Sequence, residues 1–365
     1  IRIPARYMAR ISQAFTSTQQ SIKLLPTQVE TMSDIQRNRS CFTDGVGTIS
    51  DQLAKEVDAA LRKSIPSHRA HNRIRPSCYQ IRLGGSKGML SIDYTLKGSV
   101  VKIRPSMQKF DAPDSLTLDI ASAFTKPLAS YLNRPLIKIL EDLGIPASVF
   151  LTLQREAVER VDNARNSLSS AARLVDQIGL AQPTHLSSLL RDLGRLRGDQ
   201  ADLEIDFLDD CLGLIIIHCM KELKYKSRIP LKGCYTLVGI ADEDNILEPN
   251  TIYACIEQPG KPLKYIEGRV AISRSPSVHP GDVQVVYAVG RLPPRPFTKM
   301  SRLSNCVAFS TKGHRALPSC LGGGDLDGDL YTLITLPNLI PSSARLFPAA
   351  KYAPPQMRQL NRDCT

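Results

Sequence analysis

The chain has 365 residues, and its 42% hydrophobic and 22% charged residues are ordinary for a globular protein of two domains or one elaborate domain. This composition excludes a wholly disordered chain. Lysine and arginine total 47 against 35 aspartates and glutamates, which gives a formal net charge of +12. A basic balance of this size favours a polyanionic partner such as nucleic acid.

The cysteines and the apolar runs exclude several classes of protein. None of the nine cysteines stands in C-x-x-C spacing, so neither a zinc ribbon nor a thioredoxin-like motif is supported. At this density a disulfide framework is not expected, and the thiols are typical of an intracellular, reducing compartment, nuclear or cytoplasmic. The longest apolar run, Leu212 to Met220, is too short for a membrane span, so no membrane partner is expected.

The first third of the chain is predicted to pass from irregular structure into a β unit. Residues 1–40 mix polar and basic residues with little periodicity and are predicted to form an irregular leading segment. Apolar residues recur at helical spacing over Gln52 to Lys63, which predicts a helix. Short runs rich in β-branched and aromatic residues, separated by glycines, then predict that residues 41–115 form a first β unit.

The remainder is predicted to be helical and then β-rich again. Residues 116–228 carry helical periodicity and predict a helical insertion, in which the apolar stretch Leu203 to Leu223 is expected to be buried. Short strands bounded by Gly, Pro, Asn or Asp predict a second β unit over residues 229–340. Residues 341–365 are expected to be a truncated C-terminal tail. This order indicates an α+β fold with two β units separated by a helical insertion.

The most informative stretch is the acidic loop, residues 322–329, which reads GGGDLDGD. Asp325, Asp327 and Asp329 project to one side if the backbone is extended, and Gly328 lets the chain curl so that the three side chains converge. Three like charges so close repel each other strongly unless a cation is present. Oxygen ligands of this kind suit Mg²⁺. The loop is therefore predicted to be a magnesium site.

Two other interpretations of the loop were weighed. A calcium EF-hand needs Gly at the sixth and Glu at the twelfth position, where this chain has Leu330 and Leu336, so that geometry is excluded. A solvated acidic turn remains open, although the apolar residues on both sides of the loop disfavour it. In a basic chain, an isolated acidic cluster is typical of a site where a metal ion binds the phosphates of a substrate, as in two-metal phosphoryl transfer.

The acidic loop resembles the metal-binding motif of the eukaryotic RNA-dependent RNA polymerases of RNA silencing, the fungal members most closely. Further segments match that family in the same order along the chain. They are FTDGVG at 42–47, KGML at 87–90, RPSMQKF at 104–110, LNR at 132–134, GIADE at 239–243 and SRSPSVHPGDVQVV at 273–286.

The resemblance implies a core of two double-psi β-barrels with the acidic loop on the second. It implies that Asp325, Asp327 and Asp329 hold Mg²⁺ as the catalytic residues, and that Lys87 and Lys109 of the first barrel face the same cleft. Two further motifs, one at Arg315 and one at residues 279–282, each have two alternative interpretations. Arg315 belongs to a solvated basic hairpin or contacts phosphate. The segment at 279–282 is a simple turn or organises the cleft through His279 or Asp282, and Asp44 is expected to be a turn residue.

The function that the resemblance implies is RNA-directed RNA polymerisation, a nucleotidyl transfer that copies an RNA template from nucleoside triphosphates. RNA template and product, nucleoside triphosphates and proteins of the silencing pathway are the implied partners. Two alternatives remain open: a non-catalytic RNA-binding fragment of such a polymerase, and a metal-dependent phosphodiesterase. Because the chain starts at Ile1 without a methionine and the family's proteins are longer, a fragment of a larger protein is expected.

Overall fold

The structure is a computed structural model that describes residues 3–63, 73–178, 185–199, 206–293, 299–353 and 356–360. The chain divides into two compact units. The first consists of Ile1–Leu128, Thr236–Leu333 and Leu346–Thr365, and the second of Ala129–Tyr235 and Ile334–Arg345. No described helix combines the length and the apolar character that crossing a membrane requires.

The N-terminal part of the first unit contains one mixed sheet. Its strands and the two helices beside them are α1 (Pro4–Ala14), β1 (Gln19–Lys23), β2 (Val29–Thr31), β3 (Gln36–Arg37), β4 (Ser40–Cys41), β5 (Val46–Ser50), α2 (Asp51–Lys63), β6 (Cys78–Leu83), β7 (Ser86–Asp93), β8 (Val101–Ile103) and β9 (Thr117–Ala123). Seven of them form the first sheet in the order β1-β9-β6-β7-β5-β8-β2, while β3 and β4 form a separate hairpin. Strand β5 pairs in parallel with β7 and antiparallel with β8, and all five of its residues are buried.

A second sheet is formed mostly by the C-terminal half of the chain. Its strands are β10 (Leu128–Tyr131), β11 (Pro230–Ala241), β12 (Thr251–Ile256), β13 (Lys264–Tyr265), β14 (Glu267–Arg274), β15 (Gln284–Val289), β16 (Cys306–Phe309) and β17 (Leu330–Ile334). The order β11-β16-β12-β15-β14-β17 closes on itself because β17 also pairs with β11. These six strands therefore form a closed barrel, which leaves them no free sheet edge.

Helices dominate the second unit. They are α3 (Arg134–Asp142), α4 (Ala147–Asp162), α5 (Leu168–Gln177), α6 (Leu186–Arg197) and α7 (Asp206–Lys226). Local sequence explains where two of them begin: the side chain of Asn133 accepts the Leu136 N–H at α3, and that of Ser167 accepts the Ser170 N–H at α5. A short helix, α8 (Leu317–Cys320), lies in the first unit just before the acidic loop.

The α+β class, with two β units separated by a helical insertion, is confirmed, but three finer expectations need correction. Residues 1–40 are not irregular, because β1 pairs with β9 and β2 with β8, partners that lie far along the chain. Strands β9 and β10 extend β structure to residue 131, beyond the expected boundary at 115. The stretch Leu203 to Leu223 is not wholly buried, since Leu214 and Ile217 of α7 are 70% and 52% exposed; its residues 203–205 lie outside the described part of the chain.

Candidate active site

The acidic loop joins α8 to β17 and is shaped by its glycines. Gly322, Gly323 and Gly328 have φ angles of +62°, +69° and +129°, which residues with a side chain rarely adopt. Leu326, between the first two aspartates, is buried and anchors the loop to the barrel. The loop therefore turns its apolar residue inward and keeps its carboxylates at the surface of the barrel.

Backbone N–H groups of the loop itself hold the carboxylates of Asp325 and Asp329. The N–H of Asp325 donates to Oδ2 of Asp329 at 2.9 Å, and the N–H of Asp327 donates to Oδ1 of Asp325 at 3.1 Å. The Tyr331 hydroxyl donates to the Asp325 carbonyl at 2.6 Å. These bonds order the cluster even though its members repel each other.

Cations and an amide from both sheets bind the cluster. Nζ of Lys87, on β7 of the first sheet, lies 2.9 Å from Oδ2 of Asp327. Nε of Arg274, at the end of β14, lies 2.6 Å from Oδ2 of Asp329. Nε2 of Gln80, on β6, donates to the carbonyl of Asp327 at 3.1 Å. The first sheet thus contacts the loop of the barrel directly, and the two ion pairs partly neutralise the loop.

Negative charge still accumulates at Asp325. Burial and, after it, repulsion from Asp327, Asp329 and Asp44 together raise the pKa of Asp325 to about 7. Burial is also the main cause that raises the pKa of Asp44, with Lys109 acting in the opposite direction. A half-buried carboxylate close to other carboxylates is stabilised by an added cation, so the charge of this cluster fits a divalent metal ion.

Two carboxylates of the acidic loop are paired with cations of the protein. Within the part of the chain that the structure describes, no group of three His, Cys, Asp or Glu side chains is placed so that it could hold a metal ion. In this arrangement Asp327 and Asp329 bond to Lys87 and Arg274 instead. The three carboxylates have the oxygen donors and the charge that suit Mg²⁺, but two of them are paired with cations of the protein and the three are not arranged around one metal position.

Comparison with known proteins identifies the family. The family model described as RNA dependent RNA polymerase (RdRP) matches residues 1–365. The chain belongs to the RNA-dependent RNA polymerase family. It is 32% identical to the "Probable RNA-dependent RNA polymerase 1" of Oryza sativa subsp. japonica over 100% of the chain and 46% of the relative. It is 31% identical to the "RNA-dependent RNA polymerase 1" of Schizosaccharomyces pombe over 96% of the chain and 29% of the relative.

A solved structure has the same fold as this polymerase-family chain. The RNA dependent RNA polymerase QDE-1 from Thielavia terrestris matches with a TM-score of 0.71 and 20% identity, covering 97% of this chain and 40% of that chain. This match confirms the expected fold with two double-psi β-barrel-like units. The chain spans less than half the length of these relatives.

Lys109 and Arg315 are the other two basic residues expected at the site. Their hydrogen-bond partners differ from that of Lys87. Nζ of Lys109 donates to the carbonyl of Ser106 at 3.0 Å, and its charge acts on Asp44. Nε and Nη1 of Arg315 donate to Oγ of Ser319 and to the carbonyl of Ala350, both at 2.9 Å. Arg315 therefore ties the C-terminal segment to the barrel, although it also lines a cavity of about 490 Å³ together with Asp44 and Asp325.

The segment at 279–282 forms a turn that holds the C-terminal segment. Asp282 is fully buried, and its Oδ2 accepts the N–H groups of Val278 and His279 at 2.9 and 3.0 Å. The hydroxyl of Tyr352 donates to the same carboxylate, at 2.6 Å to Oδ2. The geometry agrees with the simple-turn interpretation.

The sequence did not predict the part of three residues that contact the acidic loop or repel its carboxylates: Arg274, Gln80 and Asp44. Arg274 and Asp44 lie inside segments that match the family, so the motifs contained them without indicating their part. Gln80 carried no signal, because its bond to Asp327 depends on how the first sheet meets the loop.

Proposed function

We propose that this chain is the catalytic core of an RNA-directed RNA polymerase that copies an RNA template from nucleoside triphosphates. The observation that carries the proposal is the contact of Lys87 with Asp327, which puts a phosphate-binding cation of the first sheet against the acidic loop of the barrel. The family match over the whole chain supports the same assignment.

Each charged group of the site has a part in this proposal. Asp325, Asp327 and Asp329 would hold Mg²⁺, which would lower the pKa of the attacking 3′-hydroxyl and neutralise charge that develops on the phosphates. Lys87 and Arg274 exchange their carboxylate partners for phosphate oxygens when nucleotide binds. Lys109 and Arg315 are further candidates for contacts with the triphosphate or with RNA phosphates, Lys109 beside Asp44 and Arg315 at the wall of the cavity.

The reaction is an in-line displacement at the α-phosphate. The 3′-hydroxyl of the growing strand loses its proton to water, and its oxygen forms a bond to the α-phosphorus. The bond from that phosphorus to the oxygen bridging to the β-phosphate breaks, and pyrophosphate leaves. The fixed cations orient the triphosphate, so that little reorganisation is needed when the bond forms. RNA is held mainly through phosphates and 2′-hydroxyls, because a polymerase must accept every sequence. Proteins of the RNA-silencing pathway are its proposed partners.

Primer extension tests the proposal. The 365-residue chain is incubated with a primed RNA template, labelled nucleoside triphosphates and Mg²⁺, and the products are separated by length. Extension that depends on the template and is abolished by Asp325→Ala supports polymerase activity. Binding without extension indicates a non-catalytic RNA-binding fragment, and shortening of the primer indicates a phosphodiesterase. Either of these two results overturns the proposal.

A further inference from the structure

A second cavity lies on the first sheet beside Lys87. Its volume is about 260 Å³. We call it the Arg82 groove and define it by six of its lining residues: Arg10, Thr18, Arg82, Lys87, Phe110 and Asp119. Three of the six are cations and one is a carboxylate.

Strand register explains why charged side chains share this groove. Arg82 on β6 is paired with Lys87 on β7 and, on its other side, with Asp119 on β9. Residues directly opposite each other on neighbouring strands project to the same face of a sheet. Lys87, Arg82 and Asp119 therefore form a row across the sheet. The row begins at the residue that contacts Asp327 and leads away from the acidic loop.

Within the described residues, Arg82 and Asp119 have unused hydrogen-bonding capacity. The guanidinium of Arg82 donates from Nη1 to the carbonyl of Ile81 at 3.2 Å, and its buried Nε has no partner. The buried Oδ1 of Asp119 also has no partner. A donor and an acceptor thus stand side by side without bonding to each other. Leaving both unsatisfied costs free energy that a suitable ligand recovers.

The chemistry of the row selects a class of ligand. Arg82 and Lys87 suit phosphate oxygens, whereas a carboxylate next to them repels an anion unless that anion also carries a donor. A ribose phosphate unit carries both groups, a phosphate and a neighbouring 2′-hydroxyl. Deoxyribose has the phosphate but lacks the hydroxyl.

We propose that the Arg82 groove binds the sugar–phosphate backbone of RNA, with Arg82 on a phosphate and Asp119 accepting a hydrogen bond from a 2′-hydroxyl. The inference rests on the proposed function and adds to it a residue that distinguishes RNA from DNA outside the acidic loop. An ordered water that bridges Arg82 and Asp119 is the simpler alternative, and the experiment separates the two.

The test measures binding and needs no catalysis. Fluorescence anisotropy compares an RNA oligonucleotide with its 2′-fluoro counterpart, which lacks the hydroxyl donor but keeps a similar sugar shape. The parent chain is expected to prefer RNA by about tenfold, the size expected for a hydrogen bond to a charged acceptor. Equal affinity of the parent for the two oligonucleotides overturns the proposal whether or not any variant folds.

Variants of Asp119 test whether this residue causes the preference for RNA over 2′-fluoro RNA. Asp119→Ala is expected to bind both oligonucleotides equally, while Asp119→Asn keeps an acceptor oxygen without the charge and keeps a reduced preference. Asp114→Ala, which removes an exposed carboxylate from the preceding loop, is the matched control for charge and leaves the preference unchanged. An unchanged preference in a folded Asp119→Ala chain indicates a water-filled groove and overturns the proposal.

Arg82 is tested by salt dependence. Arg82→Met is expected to weaken binding of RNA and 2′-fluoro RNA alike and to lower the slope of log affinity against log salt by about 1, as the loss of one phosphate contact predicts. An unchanged slope overturns the part assigned to Arg82. Primer extension is scored separately. A chain that keeps the ribose preference but fails to extend a primer contradicts only the proposed function, and the reverse result contradicts only this inference.

Discussion

A β-carbon added to Gly45 would lie 2.5 Å from the Cβ of Asp327. Gly45 has a φ angle of +87°, and its carbonyl accepts the N–H of Met89 at 2.9 Å. The carbonyl of Asp44 accepts the N–H of Leu326 at 2.7 Å. The turn in FTDGVG is thus the surface on which the acidic loop rests, and it has no space for a side chain.

We predict that Gly45→Ala displaces the acidic loop and lowers the rate of nucleotide addition by about 100-fold, the loss that a misplacement of about 1 Å causes. Gly98→Ala is the matched control, because Gly98 also has a positive φ angle, +75°, but no atom within 4 Å of its added β-carbon. Primer extension and thermal melting of both variants check the prediction. Equal activity of the two variants would show that the contact with Asp327 is unimportant.

Asp327→Ala is expected to abolish nucleotide addition without unfolding the chain. The change removes the ion pair with Lys87 and also a repulsion that raises the pKa of Asp325, so stability without divalent ions changes little or rises. Mg²⁺ is expected to raise the melting temperature of the parent chain, because a ligand stabilises the state that binds it. The increase is expected to be much smaller for the Asp327→Ala chain. Equal Mg²⁺-dependent stabilisation in both would remove Asp327 from the metal site.

Lys87→Ala is expected to lower kcat/KM for nucleotides by about 100-fold, since it removes a fixed cation from the place where phosphate charge develops. The Lys87→Ala chain is expected to stay folded, with some loss of stability because the partly buried Asp327 loses its ion-pair partner. Lys97→Ala removes an exposed lysine from the loop after β7 and serves as the control. Steady-state kinetics with varied nucleotide concentration measure the effect. Similar values for both variants would contradict a part for Lys87 in nucleotide binding.

The ion pair between Arg104 and Glu243 is expected to matter for stability. Nη2 of Arg104 lies 2.7 Å from Oε2 of Glu243, and the two side chains are only 1% and 11% exposed. Arg104→Met leaves a buried carboxylate without its partner and is expected to destabilise the chain by about 3–5 kcal/mol in urea unfolding. Adding Glu243→Leu is expected to restore part of that loss. A double variant as unstable as the sum of the single variants would show that the two residues are not coupled.

The sequence alone determined the fold class and the acidic loop. Alternation between strand-like and helical runs depends on local residue types, so it indicated two β units with a helical block between them. The spacing of Asp325, Asp327 and Asp329 is equally local, and the ordered motifs by themselves pointed to the polymerase family. The family resemblance also predicted that Lys87 lies in the same cleft as the acidic loop, and in the structure Nζ of Lys87 contacts Asp327.

Tertiary structure alone decided which groups complete the site. The pairing of Arg274 with Asp329, the bond from Gln80 to Asp327 and the row of Lys87, Arg82 and Asp119 all depend on strand register and on how the first sheet meets the barrel loop. The same reason explains why residues 1–40 looked irregular in the sequence. Their strands β1 and β2 pair with residues 117–120 and 101–103, which lie far along the chain. Such non-local pairings leave no periodic pattern in the chain, because each strand's partner is set by the folded topology.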